Sequence, residues 1–258
     1  MEAKAVPRHH VEESDTVRSI TLPSWHISTE NHPISNATHL DELHAQLGIP
    51  LPEMTFGHNL IRLKHTKSGW EYQFDTLNAL KHVKNGEMTE GDGAVTVKQS
   101  EAWLKSRYTP MPTIVPTKPY DWTYTAMYEG HSPEGKGSKI VFKRADPANP
   151  AHAIPMDELQ RHDPILFYGQ TLLFEDELHD NGSSQILVRV RVMPGCIFLL
   201  SRFTLRVDQV LFRTFDTRLY HSFSSSPPLI IKEVIGLEAS YEDVKRVCSR
   251  YWIRKAYS

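Results

Sequence analysis

The chain has 258 residues, enough for one large core or two small ones, and its 29 basic and 31 acidic residues leave a formal charge of −2. So even a balance excludes a global field that draws the protein to nucleic acid or an anionic membrane, and any charge-driven contact must be local. Two distant cysteines, Cys196 and Cys248, make neither a disulfide framework nor a metal-ligand spacing, and no run approaches the roughly 20 apolar residues of a membrane helix, which points to a reducing cytosolic or nuclear compartment and no membrane contact.

Met1 to Ser19 is polar and aperiodic and reads as a loosely held arm (1–19) ahead of a single domain (20–258). Trp25 and Ile27 lie in strand-like alternation within Ile20 to Thr29. Thr38 with Asp41 predicts a helix start, Leu40, Leu43, His44 and Leu47 share its face, and Gly48 closes it. Asn59 to His65 and Trp70 to Asp75 read as a hairpin, followed by a helical turn or two from Thr76 to Val83 and a loop from Lys84 to Gly93. Ala94 to Lys98 predicts a short strand and Ser100 the start of a short helix.

Four prolines between Tyr108 and Pro119 predict an extended approach to the aromatic strand Tyr120 to Tyr128, with Lys139 to Arg144 as its hairpin partner. A short helix is expected near Met156 to Arg161.

Leu172 to His221 is the longest patterned stretch and predicts one antiparallel meander. Ile186, Val188, Val190 and Val192 fall on one face of a strand, and Leu187, Arg189, Arg191 and Met193 on the other. Pro194 and Gly195 turn the chain into a second strand that is apolar on both faces, from Ile197 to Arg206, which suits a central position. Asn181 and Gly182 suit positive φ in the turn before it. After Val210 to Tyr220 come a loop at Ser222 to Pro228, a strand at Leu229 to Ile235, and a capped helix from Ser240 whose face carries Tyr241, Val244, Val247, Cys248 and Tyr251. The class is therefore mainly β (α+β), antiparallel sheets in a sandwich-like arrangement with a few short peripheral helices.

Three constellations could carry chemistry. Glu175, Glu177 and His179 form an acidic strand end that reads either as local hydrogen bonding or as a divalent-metal site of a hydrolase, although strand alternation separates them from Asp176 and Asp180. The arginines Arg189, Arg191, Arg202, Arg206, Arg213 and Arg218 either solvate a strand face and pair with acids across it, or form a fork-shaped receptor for carboxylates of a partner. In the third, Trp122 and Tyr124 read as core, and Lys118 and Tyr120 at the strand mouth are free to meet a ligand. No nucleophile elbow, P-loop, dinucleotide fingerprint or helical zinc pair is present, so a binding module without cofactor is expected.

The blocks LPEMTFGHN (Leu51 to Asn59), KPYDWTYT (Lys118 to Thr125), LLFEDELHDNG (Leu172 to Gly182), VRVRVMP (Val188 to Pro194), FLLSRFTLRVD (Phe198 to Asp208) and FDTRLYH (Phe215 to His221), in this order, resemble the TOR signalling pathway regulator-like (TIPRL) family, with its fungal TAP-forty-two-interacting members. The resemblance implies a non-enzymatic regulator that binds the catalytic subunit of type 2A serine/threonine phosphatases and its type 4 and 6 relatives, acts with the alpha-four/TAP-forty-two type subunit, and receives the acidic, aromatic phosphatase tail in a cleft. It points to Lys118, Tyr120, Trp122, Asp216, Arg218 and Tyr220 as partner-binding positions, with Arg206 or Arg213 helping Arg218 to hold tail carboxylates and Asp216 touching the catalytic domain. Asn78 stands where family members resembling the human one carry an acidic residue.

Overall fold

The computed structural model describes residues 6–85, 126–133, 142–146, 148–160, 164–178, 180–208, 210–226, 229–240 and 249–257, without the side chains of 84, 85, 240 and 249–257. Two antiparallel sheets face one another. The smaller holds β1 (His10–Glu13), β2 (Val17–Thr21), β3 (Trp25–Glu30), β5 (Leu60–His65) and β6 (Trp70–Asp75), adjacent in that order. Its inward rows follow from register: Ile20, Ile27, Leu63 and Tyr72 form one, and Thr29, Ile61 and Phe74 the next.

The larger sheet runs β4 (Met54–Thr55), β8 (Phe167–Asp176), β9 (Gly182–Met193), β10 (Cys196–Val207), β11 (Leu211–Ser222), β12 (Ile230–Ser240), β13 (Ser249–Tyr257) and β7 (Lys143–Arg144). The meander is therefore continuous, and β10 sits at its middle as its two apolar faces require. Ile186, Val188, Val190 and Val192 meet Ile197, Leu199, Phe203 and Leu205 on the inner face, in one core with Trp25, Ile27, Ile61 and Phe74 of the smaller sheet. Each such side chain, fully buried, favours the fold by about 1.5–3 kcal/mol relative to exposure. The sheets approach closely at Gly169, where an added Cβ would lie 2.3 Å from Thr29 Cγ2.

On the inner face of β12, Lys232 is buried against the smaller sheet, in the same cross-strand row as Val190, Leu199 and Leu219. Its Nζ reaches Glu129 Oε2 at 2.6 Å and the Tyr72 hydroxyl at 3.0 Å, and lies over the Phe142 ring at 5.1 Å. Toward the opposite end of β11, Arg213 also lies on the inner face and pairs with Glu238, its Nε 2.7 Å from Oε2.

Helices are peripheral. α1 (Ala37–Leu47) is capped by Asn36, two residues before the Thr38 expected, because the Asn36 carboxamide accepts the His39 N–H at 3.0 Å; Gly48 ends the helix at φ 64° as anticipated. α2 (Thr76–Asn85) is longer than the turn or two expected, with Asp75 Oδ1 accepting the Asn78 N–H at 2.8 Å at its start. α3 (Met156–Leu159) is one turn.

Several expectations are corrected. Part of the polar arm is strand, since β1 pairs with β2 from His10 to Glu13; a wet edge strand forms on backbone bonds and shows no apolar face in the sequence. The 249–257 segment is strand β13 and not the end of a helix carrying Tyr251; it completes hydrogen bonding along β12, and its aromatic and β-branched residues suit that role. Lys143 and Arg144 pair with β13, not with the aromatic strand. In the turn before β9, positive φ falls on Leu178 (52°), Asp180 (65°) and Gly182 (157°), not on Asn181. Gly182 is needed for space too, because a Cβ there would meet the Arg206 carbonyl oxygen at 1.9 Å. The expectations for Ala94 to Lys98, for a helix from Ser100, and for a strand over Tyr120 to Thr125 lie outside the described residues.

Candidate partner-binding face

The outward face of the large sheet carries the chain's densest set of arginines, and the registers place them in three cross-strand rows. One row holds Tyr168, Arg191, Phe198, Tyr220 and Ile231, the next Gln170, Arg189, Leu200, Arg218 and Glu233, and the third Leu172, Leu187, Arg202, Asp216 and Ile235. Alternation fixes this face: the valines and isoleucines that enter the core send every intervening residue outward.

Asp216 is the pivot. It is 4% exposed, and Arg202 directly across the hairpin grips it in a fork, Nε to Oδ1 at 2.7 Å and Nη2 to Oδ2 at 2.7 Å. Arg218 Nη2 approaches the same Oδ2 at 3.5 Å. Such a two-pronged charged bond holds Arg202 even more firmly protonated than usual, through the hydrogen bond to Asp216 first. Within the sheet, both Asp216 carboxylate oxygens are engaged by arginines.

The remaining positions separate. Arg213 lies on the inner face with the partly exposed Glu238, on the opposite side from Arg218; alternation within β11 puts 213 and 218 on opposite faces. Arg206 lies at the far end of β10 and pairs with Asp208 at 2.9 Å. Tyr220 is covered by Ile154, Leu159, Met193 and Cys196 in a small second core, and burial pushes its phenol up to about 12. Lys118, Tyr120 and Trp122 lie outside the described residues. Arg191 donates to the Leu159 carbonyl at 3.2 Å, whereas the exposed Arg189 side chain makes no ion pair among the described residues.

Across the three rows the described side chains thus include four arginines (189, 191, 202, 218) against two acids (Asp216, Glu233), among half-buried Leu172, Leu187, Phe198, Leu200 and Ile235. One carboxylate shared by two guanidinium groups leaves positive charge over an apolar floor. That combination complements an acidic segment with large apolar side chains in charge and surface. Sequence reasoning undervalued Arg189 and missed the Arg202–Asp216 fork. The signal was available, since 202 and 216 are equidistant from the turn at 208–210.

Asn78 sits elsewhere, at the start of α2, where its amide donates to both Asp75 oxygens at 3.1 Å and meets His131 Nε2 at 3.1 Å. Glu175 and Glu177 flank Asp176, whose carboxylate accepts the Leu178 N–H at 2.8 Å and the Glu53 N–H at 3.2 Å, so this strand end works as a backbone cap. Among the described residues no three His, Cys, Asp or Glu side chains are grouped to hold a metal ion; His179 is not described. No helix among the described residues is long and apolar enough to cross a membrane.

Residues 54–245 match the model of the TIP41-like family. The chain is 38% identical over 244 residues to the type 2A phosphatase activator TIP41 of Saccharomyces cerevisiae, covering 88% of this chain and 64% of that one. It is 38% identical over 231 residues to the TIP41-like protein of Homo sapiens (89% and 80% covered), and 32% over 220 residues to the type 2A phosphatase activator tip41 of Schizosaccharomyces pombe (85% and 81%). The chain thus spans under two thirds of the budding-yeast relative's length and about four fifths of the other two. With the match extending from β4 to the end of β12 and taking in the whole arginine-bearing face, the chain belongs to the TIP41-like family.

Proposed function

We propose that this chain is a non-enzymatic regulator that binds the catalytic subunit of type 2A family phosphatases, including the type 4 and 6 relatives, together with the alpha-four/TAP-forty-two type subunit in TOR signalling. Two of the relatives are named as type 2A phosphatase activators, which supports the partner class. The observation that carries the mode of binding is the half-apolar outer face with four arginines against two acids. An acidic, aromatic phosphatase tail complements it in charge and in surface.

Arg189 and Arg218 are the groups that meet the tail. Among the described residues Arg189 has no acidic partner, and Arg218 holds Asp216 only at 3.5 Å, so either can turn to an incoming carboxylate. A hydrogen bond to a charged group contributes about 1.5–3 kcal/mol, so Arg218→Ala and Arg189→Ala should each weaken binding of an acidic aromatic tail peptide about tenfold or more. Calorimetry with that peptide tests the assignment. Unchanged affinity in both variants removes the face from the mechanism.

A further inference from the structure

A cavity of about 610 Å³ opens at one end of the sandwich, away from the three arginine rows, where turns of both sheets converge: 22–24, Lys67, 194–195 and 223–225. Its wall is aromatic. Trp25 lies against His65 and His221, with ring centroids 5.0 Å away in each case, and Phe223 flanks His221 at 5.9 Å. Among the described residues Lys67 is the only Lys, Arg, Asp or Glu on the lining, so the described wall is apolar with a single cation.

The two imidazoles are fixed in complementary forms by their other nitrogens. His221 Nδ1 faces the Leu229 carbonyl at 2.9 Å and must carry the proton, leaving Nε2 as an acceptor. His65 Nδ1 accepts the Ser68 backbone N–H at 3.3 Å and lies 2.7 Å from its hydroxyl, so Nε2 carries the proton and is a donor. Burial, the largest cause, holds the pKa of both below the ordinary imidazole value, so the neutral forms prevail at pH 7. An anionic group is therefore selected by Lys67 and the His65 donor, and a ligand donor by His221.

We propose that this end pocket binds a small aromatic carboxylate carrying a ring N–H or hydroxyl: the ring packs on the Trp25 and Phe223 wall, the carboxylate meets Lys67 and the His65 Nε2–H, and the ring donor meets His221 Nε2. The cavity matches this size class, since ligand pockets commonly enclose about 300–1,000 Å³ with few polar groups. The site does not depend on the phosphatase reading, because none of its residues belongs to the arginine rows.

The test uses the full chain with isotope-labelled histidine and the probes indole-3-acetate, indole-3-acetamide, tryptamine and 1-methylindole-3-acetate, followed by NMR of the His65 and His221 ring signals. Indole-3-acetate should shift both signals saturably and bind about tenfold or more tightly than tryptamine, as expected for a wall with a single cation. Lys67→Gln should remove the preference for acetate over acetamide, Phe223→Ala should weaken both, and N-methylation should weaken binding through His221. Arg189→Gln should change none of these, and unshifted core signals verify that each variant is folded. Equal binding of tryptamine, or a preference that survives Lys67→Gln, overturns the proposal. So does an acidic aromatic peptide that shifts both histidines when millimolar indole-3-acetate shifts neither, because the pocket is then a protein-docking groove.

Discussion

At the residue scale, charge placement decides what the large sheet can bind. Asp216 neutralises one of the two guanidinium groups beside it and keeps the other poised, so its removal has two separable effects. Asp216→Ala breaks the fork and should cost about 1.5–3 kcal/mol of stability, tempered by the solvent access that Arg202 retains. Denaturant unfolding measures this; a loss below the error of that measurement would mean the fork is ornamental to folding. The histidines of the end pocket act through pH. Burial holds both His221 and His65 below the usual range, with His65 adding to the effect at His221 and Lys67 at His65, so the folded state resists their protonation. Their contribution is complete above the unfolded value of about 6.5 and is lost as pH falls through the lower folded values. The melting temperature should drop between pH 7 and pH 5, and His221→Gln should flatten that slope. Individual partners of this kind were only half legible in the sequence. The opposite faces of Arg213 and Arg218 followed from alternation, but the pairing of Arg213 with Glu238 required the β11–β12 register.

At the scale of elements, strands that bury one face were legible and those that do not were hidden. β9 and β10 announce themselves by alternation and by the Pro194–Gly195 turn, and their register is fixed by that turn. β1 has four exposed residues, and β13 serves an existing edge, so neither leaves an apolar stripe to read. Lys232 shows the opposite failure: a lysine in a strand reads as a solvated position, yet this one is the polar bolt between the sheets, bound to Glu129 and Tyr72. Lys232→Met leaves Glu129 without its cation in a partly buried place and should cost about 2–4 kcal/mol, less than for a fully buried pair because Glu129 keeps some contact with water. Adding Glu129→Gln should recover part of that loss. Thermal unfolding of the single and double variants checks it, and purely additive losses would show the pair to be uncoupled.

At the scale of the whole molecule, the smaller sheet and the core serve to hold the large sheet flat side out. The inner face is closed by Trp25, Ile27, Ile61 and Phe74, and the outer face keeps four arginines over leucine and phenylalanine. On the proposed reading, this face is where an acidic end of a phosphatase would dock. The most direct test is calorimetric binding of the purified full chain to a recombinant type 2A catalytic subunit, intact and lacking its acidic C-terminal residues. Binding to the intact subunit that weakens about tenfold or more on truncation, with a matching loss for Arg218→Ala, is the predicted result. Equal affinity for the intact and shortened subunits, or none for either, would contradict the account.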